Sequence, residues 1–249
     1  MSFGEVWNTR LNSLGWLLGK LVRLLFFFLF ILAIFKHTKT IQGYTLPQAA
    51  LFFLTFNLVD LAAQIMFRGI YGMRRIVVEG ELDYYLIQPV SALFRIAFQT
   101  VDFLDIAVSL PVVALTFWAI GRLPGQVLTA PNIALYLALI ANGVAIALAI
   151  HIVVASLAVY SGQMENMVWL YRDLMVMGRF PADIYAPAVQ MVLTFLIPVA
   201  VMTTFPPKAL MGALALKWII FAFALAAALL WVSLKLWRLA LANYSSVSS

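Results

Sequence analysis

The stretch NIALYLALIANGVAIALAIHIVVASLAVY, Asn132 to Tyr160, decides the fold. It lies inside a longer run, from Arg122 to Glu165, that contains no Asp, Glu, Lys or Arg between those two residues. A bilayer hydrocarbon core of roughly 30 Å needs about 20 apolar residues in helical form, and this run exceeds that length. Such a helix tilts or projects beyond the membrane. The run is continuously apolar and does not alternate with period two, so it argues against a β-barrel strand.

The rest of the chain agrees with this reading. Apolar and aromatic residues make up 65% of the 249 residues and charged ones only 10%. A soluble domain carries about 25% charged residues. The few charges here are too scarce to cover a water-soluble surface. A disordered chain would be more polar, and a disulfide-stapled secreted domain needs cysteine, of which there is none. The class is an all-α integral membrane protein.

Charge gaps place six spans, at about 17–36, 47–68, 97–120, 132–160, 184–204 and 214–237, in a single transmembrane domain covering 1–249. Lys and Arg crowd the amino-terminal stretch, the loops after the second and fourth spans and the carboxyl end. The other side holds fewer: Lys36, Lys39, Arg122, Lys208 and Lys217. By the positive-inside rule both termini are cytosolic. The net charge of +6 is therefore spread along membrane edges, and no nucleic-acid module is visible. Residues 3–15 read as a separate amphipathic helix at the inner interface, with Phe3, Trp7, Leu11 and Leu14 on one face. The competing reading makes them the exposed start of the first span.

Catalytic chemistry is hard to assemble from these residues. There are two histidines, His37 and His151, with no HExxH motif and no Cys/His cluster for a metal. No GxSxG elbow occurs. The nearest approach to a phosphate loop, Gly15 to Leu21, is one residue short between its glycines and has Leu21 where magnesium needs Ser or Thr. The chain has no nucleotide site of its own, no catalytic residue and no cofactor-binding or metal set.

Polar residues inside the spans are few. Asn57, Asp60 and Gln64 recur at spacings of three and four, so they share a face of the second helix. Asp102 and Asp105 sit near the cytosolic end of the third, and His151 lies in the fourth. A carboxylate in lipid costs at least about 2.5 kcal/mol, so these groups face protein or water. They form either a substrate or proton path or a cluster that holds the bundle together, with His151 and Arg95 as possible partners of the carboxylates. The loop from Arg68 to Arg95 carries Glu79, Glu81 and Asp83 ahead of Pro89, which starts and stops a helix of about two turns. Leu82, Tyr85 and Leu86 give it an apolar stripe, and Arg74 and Arg75 can pair with its acids. In the second cytosolic loop Met164, Met167, Val168, Tyr171, Leu174 and Met175 recur at helical spacing, with Arg172, Asp173 and Arg179 solvated. Thr203 to Leu214 is too apolar for an exposed loop, and Phe205, Pro206, Pro207 and Leu210 suggest a short re-entrant hairpin.

The stretch Tyr71 to Phe94, YGMRRIVVEGELDYYLIQPVSALF, resembles the first cytosolic loop of type-2 ATP-binding-cassette (ABC) transporter permeases, in their six-span export branch. MGRFPADIY (Met177 to Tyr185), IPVA (Ile197 to Ala200) and TFPPKALMG (Thr204 to Gly212) resemble the same branch. The resemblance implies a bacterial-type cytoplasmic-membrane permease that dimerises with an identical or homologous second permease. Cytosolic ABC ATPase subunits, carrying ATP and magnesium, drive it. It implies that Glu79 to Pro89 is the coupling helix, with Glu79, Glu81 and Asp83 polar contacts and Leu82, Tyr85 and Leu86 packing contacts. It also implies that residues 3–15 are the interfacial helix and that the Phe205 to Leu210 segment is an outer gate. The alternative is an ion- or proton-coupled carrier, weakened because no inverted repeat is evident between the two halves.

Overall fold

The computed structural model describes residues 3–161 and 166–244, without the side chains of 3–13, 161 and 166–168. Met164 therefore lies outside the described residues, as do the side chains of Met167 and Val168. Among the described residues the chain is helical, with no strand beyond one isolated bridge from Ile41 to Tyr44.

Helix α1 runs unbroken from Phe3 to His37. The separate amino-terminal helix over 3–15 is thus corrected: no turn residue interrupts the run before the apolar segment, and the two join as one rod. Helix α2, Leu46–Phe67, starts where Gln48 accepts the Thr45 backbone N–H at 2.8 Å, one half of a capping box. A tight turn over Arg68–Gly72 leads to α3, Met73–Val78. Gly80, at φ 74°, then turns the chain into α4, Leu82–Leu86. This helix has five residues, shorter than the two turns predicted. Helix α5, Ala92–Phe98, and α6, Phe103–Ile120, are separate, so the span expected at 97–120 begins later. Asp102 makes the break by capping α6, its Oδ1 accepting the Leu104 N–H at 2.9 Å. Helix α7, Ala130–Ser161, is followed by α8, Asn166–Met175.

Among the described residues five helical stretches are long and apolar enough to cross a membrane: Leu14–His37, Leu46–Val78, Phe103–Ile120, Ala130–Tyr160 and Leu216–Ala242, the last being α12. Helices α2 and α7 are the most buried of these, with α6 packed on α2 and α12 on α7. Leu51, Phe52 and Leu54 of α2 and Leu139 and Ile146 of α7 are fully enclosed.

The expected helix over 184–204 does not form. Its residues divide into a tight turn at Ala182–Ile184, α9 at Pro187–Met191, a wide turn at Val192–Leu196 and α10 at Val199–Thr203. Pro198 has no N–H to continue a helix, and Ile197 bonds back five residues to Val192 at 2.9 Å. Helix α11, Phe205–Leu210, follows at once. A straight helix of that length would separate its ends by about 30 Å. Here Asp183 and Lys208 meet at 2.8 Å, so residues 184–207 form a closed hairpin. Its returning arm lies against α7: a Cβ on Gly143 would stand 3.0 Å from the Met202 carbonyl oxygen of α10. Gly143 is about 20 Å along α7 from Ala130, at 1.5 Å per residue.

The segment before the hairpin runs alongside α1. Trp169 shares a cavity with Trp16, Arg179 lies over Phe27, and Pro181 and Ile184 meet Ile34 and Phe35. Asp183 reaches Tyr44, beyond the end of α1. Residues 169–184 thus lie beside α1 from Trp16 to Phe35.

Candidate functional site: a cationic cavity in the helical bundle

The faces of α1, α2, α6 and α8 that turn toward one another carry most of the polar groups in the bundle. Lys20 and Arg23 lie three residues apart on α1 and so point the same way. Asn57, Asp60 and Gln64 form the stripe expected on α2. Together they line two adjoining spaces that share Lys20, Arg23, Trp169 and Arg172. The inner chamber has a volume of about 220 Å³ and the vestibule about 750 Å³.

At the junction the two carboxylates of the α6 start meet two cations. Lys20 Nζ donates to Asp105 at 2.5 Å and to Asp102 at 3.3 Å. Arg68 lies 2.8 Å from Asp102 and 3.5 Å from Asp105. Asp105 is buried, its side chain only 1% exposed. Burial alone would push the Asp102 carboxyl up, but the Leu104 N–H and the Lys20 and Arg68 charges outweigh it and hold it below the usual carboxylate range. The carboxylates therefore have partners, and these are Lys20 and Arg68 instead of Arg95 and His151.

Asp60 accepts a 2.7 Å hydrogen bond from Gln64 Nε2, and Asn57 Nδ2 donates to the Phe53 carbonyl at 2.8 Å. Both line the inner chamber with Asp105. Gln64 and Asp102 line the vestibule. His151 lies elsewhere, its Nδ1 2.7 Å from the Ala147 carbonyl and its ring among Phe67, Tyr71 and Tyr171. Five of the six residues of the polar cluster are therefore brought around one cavity, and His151 is not.

The guanidiniums of Arg172 and Arg179 were assigned to solvent by the sequence reading. Both line the chamber. Arg179 stands over the rings of Phe27 at 5.1 Å and Phe56 at 5.6 Å. Its Nε is buried with no acceptor. Arg23 and Lys20, counted as membrane-edge charges, belong to the same wall. The signal available in sequence was their position inside an apolar helix, one turn apart.

The two other regions singled out by sequence are distinct from this cavity. In the first loop Leu82 is fully enclosed by the chain itself and Tyr85 bonds to Gln99. Tyr84, Leu86 and Ile87 are exposed there, Ile87 at 81%, as are Val78, Val90 and Phe94 on either side. Glu79 and Glu81 lie 3.3 and 3.6 Å from Arg75, as the charge pattern suggested. Asp83 is half-buried. In the hairpin Phe205, Pro206, Pro207 and Leu210 are buried. Phe205, with Thr194 and Trp218, lines a cavity of about 470 Å³. Its root is Asp183, which accepts from Lys208 and, at 2.7 Å, from the Tyr44 hydroxyl. Burial, then the Asp183 hydrogen bond and charge, push that hydroxyl upward. The span expected at 184–204 separates Asp183 from Lys208; their contact at 2.8 Å corrects that.

No curated protein and no solved structure matches the chain. A family described as ABC-2 family transporter protein matches residues 21–248. That match includes the loop carrying α4, the hairpin and the cavity wall apart from Gly15, Trp16, Gly19 and Lys20, and with these apolar helices it shows that the chain belongs to the ABC-2 transporter family, as a multi-pass membrane protein.

Proposed function

We propose that the chain is the membrane-spanning subunit of an ATP-driven exporter, working as a dimer with a second permease and coupled to cytosolic ABC ATPase subunits that bind ATP and magnesium. The observation that carries this reading is the position of α4. Helix α2 starts beside Tyr44 and is about 33 Å long, at 1.5 Å per residue. Helix α4 lies beyond its far end, through α5 and the Arg68–Gly72 turn. There it presents Tyr84, Leu86 and Ile87 to solvent, with Glu79, Glu81 and Asp83 beside them. Exposed aromatic and aliphatic side chains on a five-residue helix are suited to a partner's groove, because so short a helix needs docking to persist.

Both termini then face the cytosol of a bacterial-type inner membrane. The sixth crossing is residues 169–184, in place of 184–204, and the hairpin over 184–207 enters from the outer side as a gate. Irregular backbone at membrane depth is acceptable here because it is packed against α2 and α7. ATP-driven closure of the ATPases would move α4 and thereby change which side the cavity faces, through contacts that differ between the two states.

Replacing Tyr84 and Ile87 together with Asp should abolish co-purification of the ATPase, and ATPase stimulation with it, while membrane insertion persists. Undiminished association in that variant would remove α4 as the coupling element.

A further inference from the structure

The inner chamber contains more cationic groups than its own carboxylates occupy. Four cations, Lys20, Arg23, Arg172 and Arg179, line it against three carboxylates: Asp105 is engaged by Lys20 and Arg68, Asp60 is hydrogen-bonded by Gln64, and Asp173 lies at the wall. Arg23, Arg172 and Arg179 make no salt bridge among the described residues, although all three line the chamber. Arg179 also keeps a buried Nε–H with no acceptor. A buried charged donor of that kind is destabilising unless something accepts from it. Three guanidiniums around one space suit a ligand with several anionic oxygens, since each planar fork can grip two of them.

The opposite wall is apolar. Leu24, Phe27, Phe53 and Phe56 line the same chamber, and its volume of about 220 Å³ is below that of an ordinary drug-sized pocket, roughly 300–1,000 Å³. The chamber is therefore sized for a head group and the first few carbons attached to it. The vestibule outside is larger, about 750 Å³, and is flanked by Trp16 and Trp169. Tryptophan favours the depth at which lipid head groups lie.

We propose that this chamber binds the phosphate ester group of an anionic amphiphile. Arg23, Arg172 and Arg179 take the phosphate oxygens, and Phe27, Phe53 and Phe56 cover the first methylenes of its tail. As a statement of cargo class this rests on the exporter reading, whereas as a binding site it stands without it.

The test uses the full chain, purified without ATPase, in nanodiscs of zwitterionic lipid. Dioctanoyl phosphatidic acid, dioctanoyl phosphatidylcholine and inorganic phosphate are titrated in turn. Phosphatidic acid should bind at least about tenfold more tightly than phosphatidylcholine, since its phosphomonoester carries about −1.5 to −2 charge, whereas the single phosphate charge of phosphatidylcholine is offset by its choline cation. Arg23→Gln with Arg172→Gln should remove that preference while circular dichroism and elution volume stay unchanged, and Arg172→Lys should retain part of it. Equal binding of the two lipids, or a preference untouched in the double variant, overturns the site. Inorganic phosphate competing as well as phosphatidic acid overturns the amphiphile and leaves only an anion site. Should the double variant misfold, competition among the three probes on the wild-type chain still decides. Absence of any lipid preference in the wild-type chain, with ATPase association intact, counts against this inference alone, and a preference without ATPase association counts against the exporter reading alone.

Discussion

A carboxylate enclosed in a helical bundle is stable only while its cation is present, because removing one partner leaves a desolvated charge behind. Asp105 is in that position, with Lys20 and Arg68 as its cations. Lys20→Met should therefore destabilise the folded chain by about 3 kcal/mol, and adding Asp105→Leu should recover much of the loss, as measured by thermal melting in detergent. Two additive losses would show that the pair is not coupled. The neighbouring Asp102 adds a pH dependence to the same measurement. Its carboxyl is held below its unfolded value of about 3.9, so its contribution is fully present above that value and disappears as pH falls through the lower folded one. The melting temperature of the wild-type chain should hold down to roughly pH 4 and drop below it, and Asp102→Asn should flatten that part of the profile. The sequence placed both aspartates near the cytosolic end of their helix and required them to face protein or water. It did not identify the partners, because Lys20 is more than eighty residues away and meets them only when α1 lies against α6.

At the scale of elements, the hairpin between Asp183 and Lys208 differs most from what periodicity predicts. Its residues are apolar enough to be a span, and hydropathy alone gives that reading. Pro187, Pro198, Pro206 and Pro207 divide them into short pieces, and the root is tied by one carboxylate with two donors. Asp183→Ala would free Lys208 and Tyr44 at once and should cost about 2 kcal/mol, against about 1 kcal/mol or less for Tyr44→Phe. Limited proteolysis between 184 and 207 should accelerate in the same order; equal rates in both variants would mean that the root does not hold the hairpin. The turn at Pro206 and Pro207 was legible because proline has a fixed local effect. The closure was not, since nothing local to residue 183 says that residue 208 returns to it.

Considered as a whole, the molecule has α2 and α7 at its centre, with α1 and α12 showing apolar rows outward, among them Phe26, Phe30, Trp231 and Leu239. The exporter reading turns those rows to lipid or to a second permease, and it fixes which ends of the chain share a side of the membrane. The absence of cysteine makes this directly measurable. Single cysteines at Asp183 and Lys39 should react with a membrane-impermeant maleimide added outside intact cells, and one at Ile87 only after the cells are opened. Protection of the Asp183 position from outside would restore the crossing to 184–204. The sequence by itself determined the solvent: a chain with 65% apolar and 10% charged residues has a stable fold only in a bilayer, as helices that satisfy their own backbone hydrogen bonds. It also determined the longest spans, the breaks at proline and the family likeness in the first loop, all of which depend on residues close together in the chain. Tertiary structure decided which charges meet, why Leu82 is enclosed while Ile87 is exposed, and that residues 169–184 lie beside α1 from Trp16 to Phe35 despite carrying Arg172, Asp173, Arg179 and Asp183. A hydropathy window rejects such a segment, because it averages charges that the folded molecule separates, placing Arg172 and Arg179 around a cavity and Asp183 against Lys208.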